Sequence, residues 1–190
     1  MKKIDRSFYM DNDVLSVARK LIGKTLFSKV DGMVTSARIS ETEAYAGEKD
    51  KASHAYGGRR TSRTRVMYLR GGCAYIYLCY GIHSMFNVVT SMEGIPHAVL
   101  IRGLLPVQGL SIMESRLGKK ISGVISGPGL SAKAMGIHYS MTGESLLANR
   151  IWIMDDEQTV NSTEISVTPR IGIDYAGEDA SLPYRFLWNT

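Results

Sequence analysis

The chain has 190 residues, with 23 Lys and Arg against 18 Asp and Glu, a formal net charge of +5. That length and a hydrophobic content of 44% suit one soluble globular domain and exclude a wholly disordered chain. No apolar run approaches the ~18 residues of a transmembrane helix. The basic residues 1–6 are not followed by the apolar stretch of a secretory signal, so neither a membrane partner nor export is expected.

In chain order, residues 11–23 read as a short helix. Asp11 or Asn12 is placed to cap it, Val14, Leu15, Ala18, Leu21 and Ile22 form an apolar stripe, and Gly23 ends it. Two β-prone runs follow, 25–30 and 33–40. The Asp31-Gly32 pair between them predicts a tight hairpin. The second run continues through Glu41-Thr42-Glu43-Ala44-Tyr45. Residues 46–72 are polar and glycine-bearing and predict a long loop, with or without a short helix; such loops often carry function. Residues 73–80 and 83–90 read as strands joined at Tyr80-Gly81-Ile82, and 98–105 as another. Residues 108–117 and 128–136 read as helices, then 151–154, 164–167, 170–173 and 184–188 as strands. The pattern is α+β: a single domain, 1–190, with a curved, mostly antiparallel sheet and surrounding helices.

Charge is uneven along this pattern. Residues 1–95 carry a balance of +6 and the remainder −1. The excess is densest between Lys49 and Arg70, where Lys49, Lys51, Arg59, Arg60, Arg63, Arg65 and Arg70 face one acid, Asp50. Such a cluster suits a surface that meets phosphates, and equally a solvated basic loop; the five arginines favour bidentate phosphate contacts. Cys73 and Cys79 lie in an apolar run, too few for a disulfide framework and spaced unlike a zinc site, so free thiols are expected.

A few residues stand out from the core pattern. Glu41 and Glu43, two apart on a strand, point to one face. Paired acids serve hydrolysis, metal binding or salt bridging. His54 precedes Gly57-Gly58-Arg59-Arg60, a loop whose backbone can approach a polyanion. No metal-ligand spacing joins His54 to His83 or to the glutamates, so no metal is expected. Tyr75 and Tyr77 share a strand face and Tyr80 falls at the turn. Tyrosines so placed serve as packing or as stacking platforms for bases. Arg102 lies in an apolar strand and needs a carboxylate, for which Glu43 is a candidate; Asn87 is a lone amide in another.

In this order, Glu41–Tyr45, Ser53-His54 with Gly57-Gly58-Arg59, Tyr75–Gly81, Met85-Phe86-Asn87, Val99–Arg102, Ser126-Gly127-Pro128 and Arg170–Ile173 with Ala176-Gly177-Glu178 resemble the alkyladenine (3-methyladenine) DNA glycosylases of the mammalian type, across about residues 8–188. The resemblance implies a monofunctional enzyme without cofactor. It flips an alkylated or deaminated purine out of double-stranded DNA and hydrolyses the N-glycosidic bond, leaving an abasic site. Glu43 would activate the water, with Arg102 and the Ile173 backbone carbonyl beside it. Tyr45 and His54 on one side and Tyr77 on the other would hold the base, and Asn87 would discriminate against guanine's amine. Tyr80 would fill the vacated stack, and Arg59, with Arg60 and Arg63 of the same cluster, would meet the DNA backbone. A monomer is expected, in the cytoplasm of a bacterium or the nucleus of a eukaryote. One departure stands out: Leu130 occupies the place of an expected lysine, and the next lysine is Lys133, one turn on. Two other readings use the same residues: a non-catalytic nucleic-acid-binding domain of this fold, and a metal-dependent hydrolase working through Glu41, Glu43 and His54.

Overall fold

The structure is a computed structural model and describes residues 1–156 and 159–189. Its strands are β1 (Lys2–Lys3), β2 (Thr25–Val30), β3 (Met33–Tyr45), β4 (Ala74–Cys79), β5 (His83–Thr90), β6 (His97–Gln108), β7 (Ile125–Ser126), β8 (Ile151–Asp155), β9 (Ile165–Thr168) and β10 (Arg185–Trp188). Its helices are α1 (Arg6–Tyr9), α2 (Val14–Leu21), α3 (Leu110–Leu117) and α4 (Pro128–Ala134), with several 3₁₀ turns. The strands form an open antiparallel sheet in the order β1-β8-β2-β3-β6-β5-β4. β7 pairs with β6, and β10 joins β3 to β9. The expected α+β architecture is what the chain adopts.

The local signals act largely as read. Asp31 and Gly32 both take positive φ, +52° and +76°, the twist that a two-residue hairpin between β2 and β3 requires. The α2 cap is Asp13 rather than Asp11 or Asn12: its carboxylate accepts the Leu15 and Ser16 N–H groups, 3.0 and 3.1 Å away. Val17, Ala18 and Leu21 turn inward from α2 and join Leu26, Ile39, Ile101 and Ile153 in the main core. Two of the expected element assignments also fail. β6 runs on through Pro106 to Gln108, where the sequence predicts a helix beginning at 108; the left-handed Gly109 ends the strand and starts α3. Residues 170–173 are not a strand. Gly172 at φ +74° turns the chain into the 3₁₀ segment Asp174–Ser181, so the alternating apolar pattern there is not a pleat.

β3 carries the organising irregularity. Its first half pairs with β2 and its second with β10, while β6 runs along the other edge. The β3–β6 register shifts between Ile39 and Glu41 and again between Glu41 and Thr42. Bulges of this kind bend a strand and re-aim its side chains. Opposite the first lies Gly103, where an added Cβ would stand 2.8 Å from both Glu41 Cβ and Ser40 Oγ. A side chain there would collide with the bulge, so β6 needs glycine at this crossing.

Candidate active site

Thr42 points to the α2 side, its hydroxyl donating to the Ala18 carbonyl at 3.0 Å, and Glu41 and Glu43 face the other way. Both carboxylates are buried. Glu43 Oε1 accepts the Ile171 N–H at 2.8 Å and lies 3.4 Å from Arg102 Nε; Oε2 accepts the Tyr45 hydroxyl at 2.9 Å. Burial is the largest influence on this carboxyl and raises its pKa. Arg102, the Ile171 N–H and the Tyr45 hydroxyl oppose that rise, and the neighbouring Glu41 adds to it. A buried carboxylate held from both oxygens, with raised basicity, is suited to take a proton from water.

The sequence offers Glu43 as the partner of Arg102. The structure makes Glu41 the nearer partner, at 2.9 Å. Glu41 Oε1 also receives Arg185 Nε of β10 at 2.6 Å.

Beyond Tyr45 lies a cavity of about 30 Å³, lined by Tyr45, Ala52, His54, Met67, Tyr75, Tyr77, Asn87, Ala98 and Tyr175. It thus gathers the four residues expected to hold a base, Tyr45, His54, Tyr77 and Asn87. Its present volume suits water and not a purine. His54 and Tyr77 are in edge-to-face contact, with ring centroids 4.6 Å apart, so no ring fits between them in this state. His54 Nδ1 pairs with the Tyr75 hydroxyl at 2.8 Å. Burial, with Arg63 and Arg59 nearby, lowers the His54 pKa to about 4, so the imidazole is neutral at physiological pH. Asn87 Nδ2 donates to the Tyr75 and Met85 carbonyls, each at 3.1 Å. Both amide hydrogens are therefore committed, which leaves Oδ1 as the atom a ligand can address. Burial raises the hydroxyl pKa of Tyr45 and Tyr77, and both remain neutral phenols.

The cavity is tied together by a buried ion pair with no local signature in the sequence. Arg170 grips both Asp50 oxygens and donates to the Ala44 carbonyl at 2.9 Å. Its guanidinium lies 4.9 Å from the Tyr45 ring and 5.1 Å from Tyr184. Asp50 in turn accepts the Ala46 and Ala52 N–H groups. The pair fastens the start of the 46–72 loop, which carries His54, to the segment that presents the Ile171 N–H. Tyr175, also unmarked in the sequence, caps this join by donating to the Ala52 carbonyl at 3.1 Å. Ile173, the residue expected to offer a carbonyl to the water, is buried with Ala52 and Ala176, and its carbonyl accepts the Ala176 N–H at 2.8 Å. The backbone group of this segment that reaches Glu43 belongs to Ile171.

The residues expected to face DNA, Tyr80, Arg59, Arg60 and Arg63, are all exposed. Tyr80 stands at the β4–β5 tip, 92% exposed, with φ +50°. A bulky residue in the left-handed region is uncommon and strained, and here it presents an aromatic ring to solvent. Arg59 is exposed. Arg60 packs over Tyr68 at 4.1 Å, and Arg63 lies 4.6 Å over Tyr77, so two of the three arginines rest on aromatic faces. Leu130 is on the surface beside Lys119 and Lys120. Lys133 shares a different hollow with Ile82 and His83, so a cation is retained next to the Tyr80 hairpin. Cys73 and Cys79 are free; burial pushes the Cys73 thiol up to about 11, a core thiol rather than a nucleophile. Among the described residues no group of His, Cys, Asp and Glu is placed to hold a metal, and no helix is long and apolar enough to cross a membrane.

The model of the methylpurine-DNA glycosylase family matches residues 7–190. This chain belongs to that family. A Chlamydia felis (strain Fe/C-56) protein carrying the name of a 3-methyladenine DNA glycosylase is 45% identical over 189 residues, 98% of this chain and 96% of the relative. A Desulfitobacterium hafniense (strain Y51) protein of the same name is 44% identical over 195 residues, covering 98% and 95%. One from Bacillus cereus (strain G9842) is 44% identical over 192 residues, covering 96% and 93%. Membership of the methylpurine-DNA glycosylase family assigns the chain to DNA glycosylases acting on alkylated bases, with DNA as substrate and repair of alkylation damage as the process.

Proposed function

We propose that this chain excises damaged purines from double-stranded DNA as a monofunctional glycosylase, using a water activated by Glu43. The observation that carries the reading is the Glu43 carboxylate: buried, raised in pKa, held at both oxygens, and set beside a cavity walled by Tyr45, His54, Tyr75 and Tyr77. A base inside a duplex cannot reach such a site, so the nucleotide must be extruded. Tyr80 enters the vacated stack, and Arg59, Arg60 and Arg63 meet the distorted backbone. The cavity opens for the base by parting His54 from Tyr77, and Arg63 leaves the Tyr77 face for a phosphate.

Purines alkylated at N3 or N7 carry positive charge. Neutral tyrosines and a neutral His54 accept such a base without repulsion, and each cation–π contact contributes ~0.5–2 kcal/mol. Asn87 Oδ1 presents an acceptor edge to the base. A cationic base leaves readily, so the carboxylate's work is to take a proton from water as the sugar becomes electrophilic and to balance the sugar's developing charge. Deaminated, neutral purines fit the same pocket but leave less readily. The cavity lining of aromatic, apolar and amide side chains supports direct attack by water rather than by a lysine amine. The protein acts as a monomer in the cytoplasm, on nucleoid DNA.

The test is base release from duplex oligonucleotides carrying a methylated purine or hypoxanthine, in chelator, with and without alkali. Release with strand breaks only after alkali is expected. A borohydride-trapped protein–DNA adduct would overturn the monofunctional mechanism. Tight DNA binding without release on any lesion would make the chain a binding domain, and activity lost to chelator would favour a metal-dependent hydrolase.

A further inference from the structure

Glu41 plays no part in the scheme above, yet it is buried in the middle of it. Its Oε1 lies between two arginines, 2.9 Å from Arg102 Nε and 2.6 Å from Arg185 Nε. Arg102 Nε is in turn 3.4 Å from Glu43 Oε1. Charge therefore alternates along one line: Arg185, Glu41, Arg102, Glu43. The line is built by the sheet. β10 pairs with β3 so that Arg185 sits opposite Glu43, and Gly103 of β6 gives the β3 bulge room to aim Glu41 at both guanidinium groups. A second hold on Arg185 comes from Thr168 Oγ1, 3.1 Å from its Nη1.

Arginine has one Nε–H, and two carboxylates compete for it. The distances award it to Glu41. Resting on the reading of Glu43 as the base, we propose that Glu41 is a positioning residue for base release: it holds the Arg102 Nε–H off Glu43, and Arg185 sets how strongly. Glu43 thereby keeps a cation nearby without surrendering its basicity to a direct charged hydrogen bond. The other groups that face Glu43 come from separate elements: the Tyr45 hydroxyl from its own strand, the Ile171 N–H from the C-terminal segment, and, at longer range, the Arg170 charge and the neutral Tyr175 phenol. Their hydrogen bonds run to Glu43, Asp50 and backbone carbonyls rather than to Glu41. Changing Glu41 or Arg185 therefore acts on Glu43 through Arg102 or through the charge that the substitution itself removes, Arg185 being the register partner of Glu43.

Two substitutions must then move Glu43 in opposite directions. Glu41→Gln removes a negative neighbour and releases Arg102 to Glu43, so the Glu43 pKa falls. Arg185→Gln leaves Glu41 with only Arg102 to neutralise it, draws Arg102 further from Glu43, and raises the Glu43 pKa. Shifts of about one pH unit are expected, the scale of a charge moved at 4–6 Å. The first readout is the acid limb of single-turnover release of a methylated purine, measured across pH: lower for Glu41→Gln, higher for Arg185→Gln, and returned towards wild type in Arg185→Lys. The second is a ¹³C titration of the Glu43 carboxyl in the DNA-free protein, which needs no turnover. It tests the positioning even if the glycosylase reading fails, whereas absence of release by the wild type would indict that reading alone. Limbs and titrations that stay fixed in both variants, or move in the same direction, overturn the proposal. A Glu41→Gln chain that does not fold leaves the Arg185 pair of variants to decide it.

Discussion

The glutamate end of β3 and the tyrosine tip of the β4–β5 hairpin, to which we assign two roles on one substrate, are built in opposite ways. Glu43 is buried, fixed by donors from Ile171 and Tyr45, and flanked by the Arg102 guanidinium at 3.4 Å. Tyr80 is almost fully exposed and stands on a left-handed backbone. The difference teaches how labour is divided. Under the proposed roles, a general base must be desolvated and preorganised, which the surroundings of Glu43 provide, and a wedge must be ready to leave water for a base stack, which the bare Tyr80 ring allows.

The largest effect should come from breaking the support of the fixed region. Arg170→Met strands the buried Asp50 carboxylate, and loss of one partner of such a pair costs about 3–5 kcal/mol. Chemical denaturation should show that loss, with the 46–72 loop becoming protease-sensitive. At the wedge the sign differs. Tyr80→Gly relieves a left-handed residue, so folding stability should hold or rise by up to about 1 kcal/mol. Affinity for damaged duplex should fall by ~1–3 kcal/mol, the scale of one aromatic stack on a base. A denaturation curve and a binding titration on one preparation check both, and a wedge variant that loses stability would erase the contrast.

These two regions are also unequally legible in the sequence. Tyr80-Gly81 at a turn, the Asp31-Gly32 hairpin and the shared face of Glu41 and Glu43 are local signals, and each appears where the pattern puts it. The Arg170–Asp50 pair joins residues 120 apart and has no local signal. The stretch 170–173 alternates like a strand, but Gly172 turns it, and its backbone is spent on Glu43 instead of a ladder. Arg102 is recognisable as a charge needing a carboxylate. Which of two it prefers is decided by the β3 bulge and Gly103, and neither is visible as a pattern.

A smaller effect comes from acid. The folded His54 pKa, near 4, lies below its ordinary 6.5, so the unfolded chain binds the extra proton between those values. Stability conferred by the neutral ring is full above pH 6.5 and declines as pH falls towards 4. The partly covered ring contributes about 2 kcal/mol at most after allowing for solvent screening. His54→Gln should flatten that part of the stability–pH curve, and an unchanged slope would remove His54 as its source. Smallest of all, Arg59→Ala should lower the slope of log affinity against log salt by about one, the change that follows when one phosphate is no longer neutralised. It should do so equally for damaged and undamaged duplex.

The most direct measurement sets Glu43→Gln beside the wild type, with single-turnover release of a methylated purine and binding to the same duplex read from each. The account predicts that the variant binds as the wild type does, with release reduced by a factor of at least ~10², as expected when a general base is removed. Release at the wild-type rate by Glu43→Gln would contradict the assignment of the catalytic carboxylate and everything built around it.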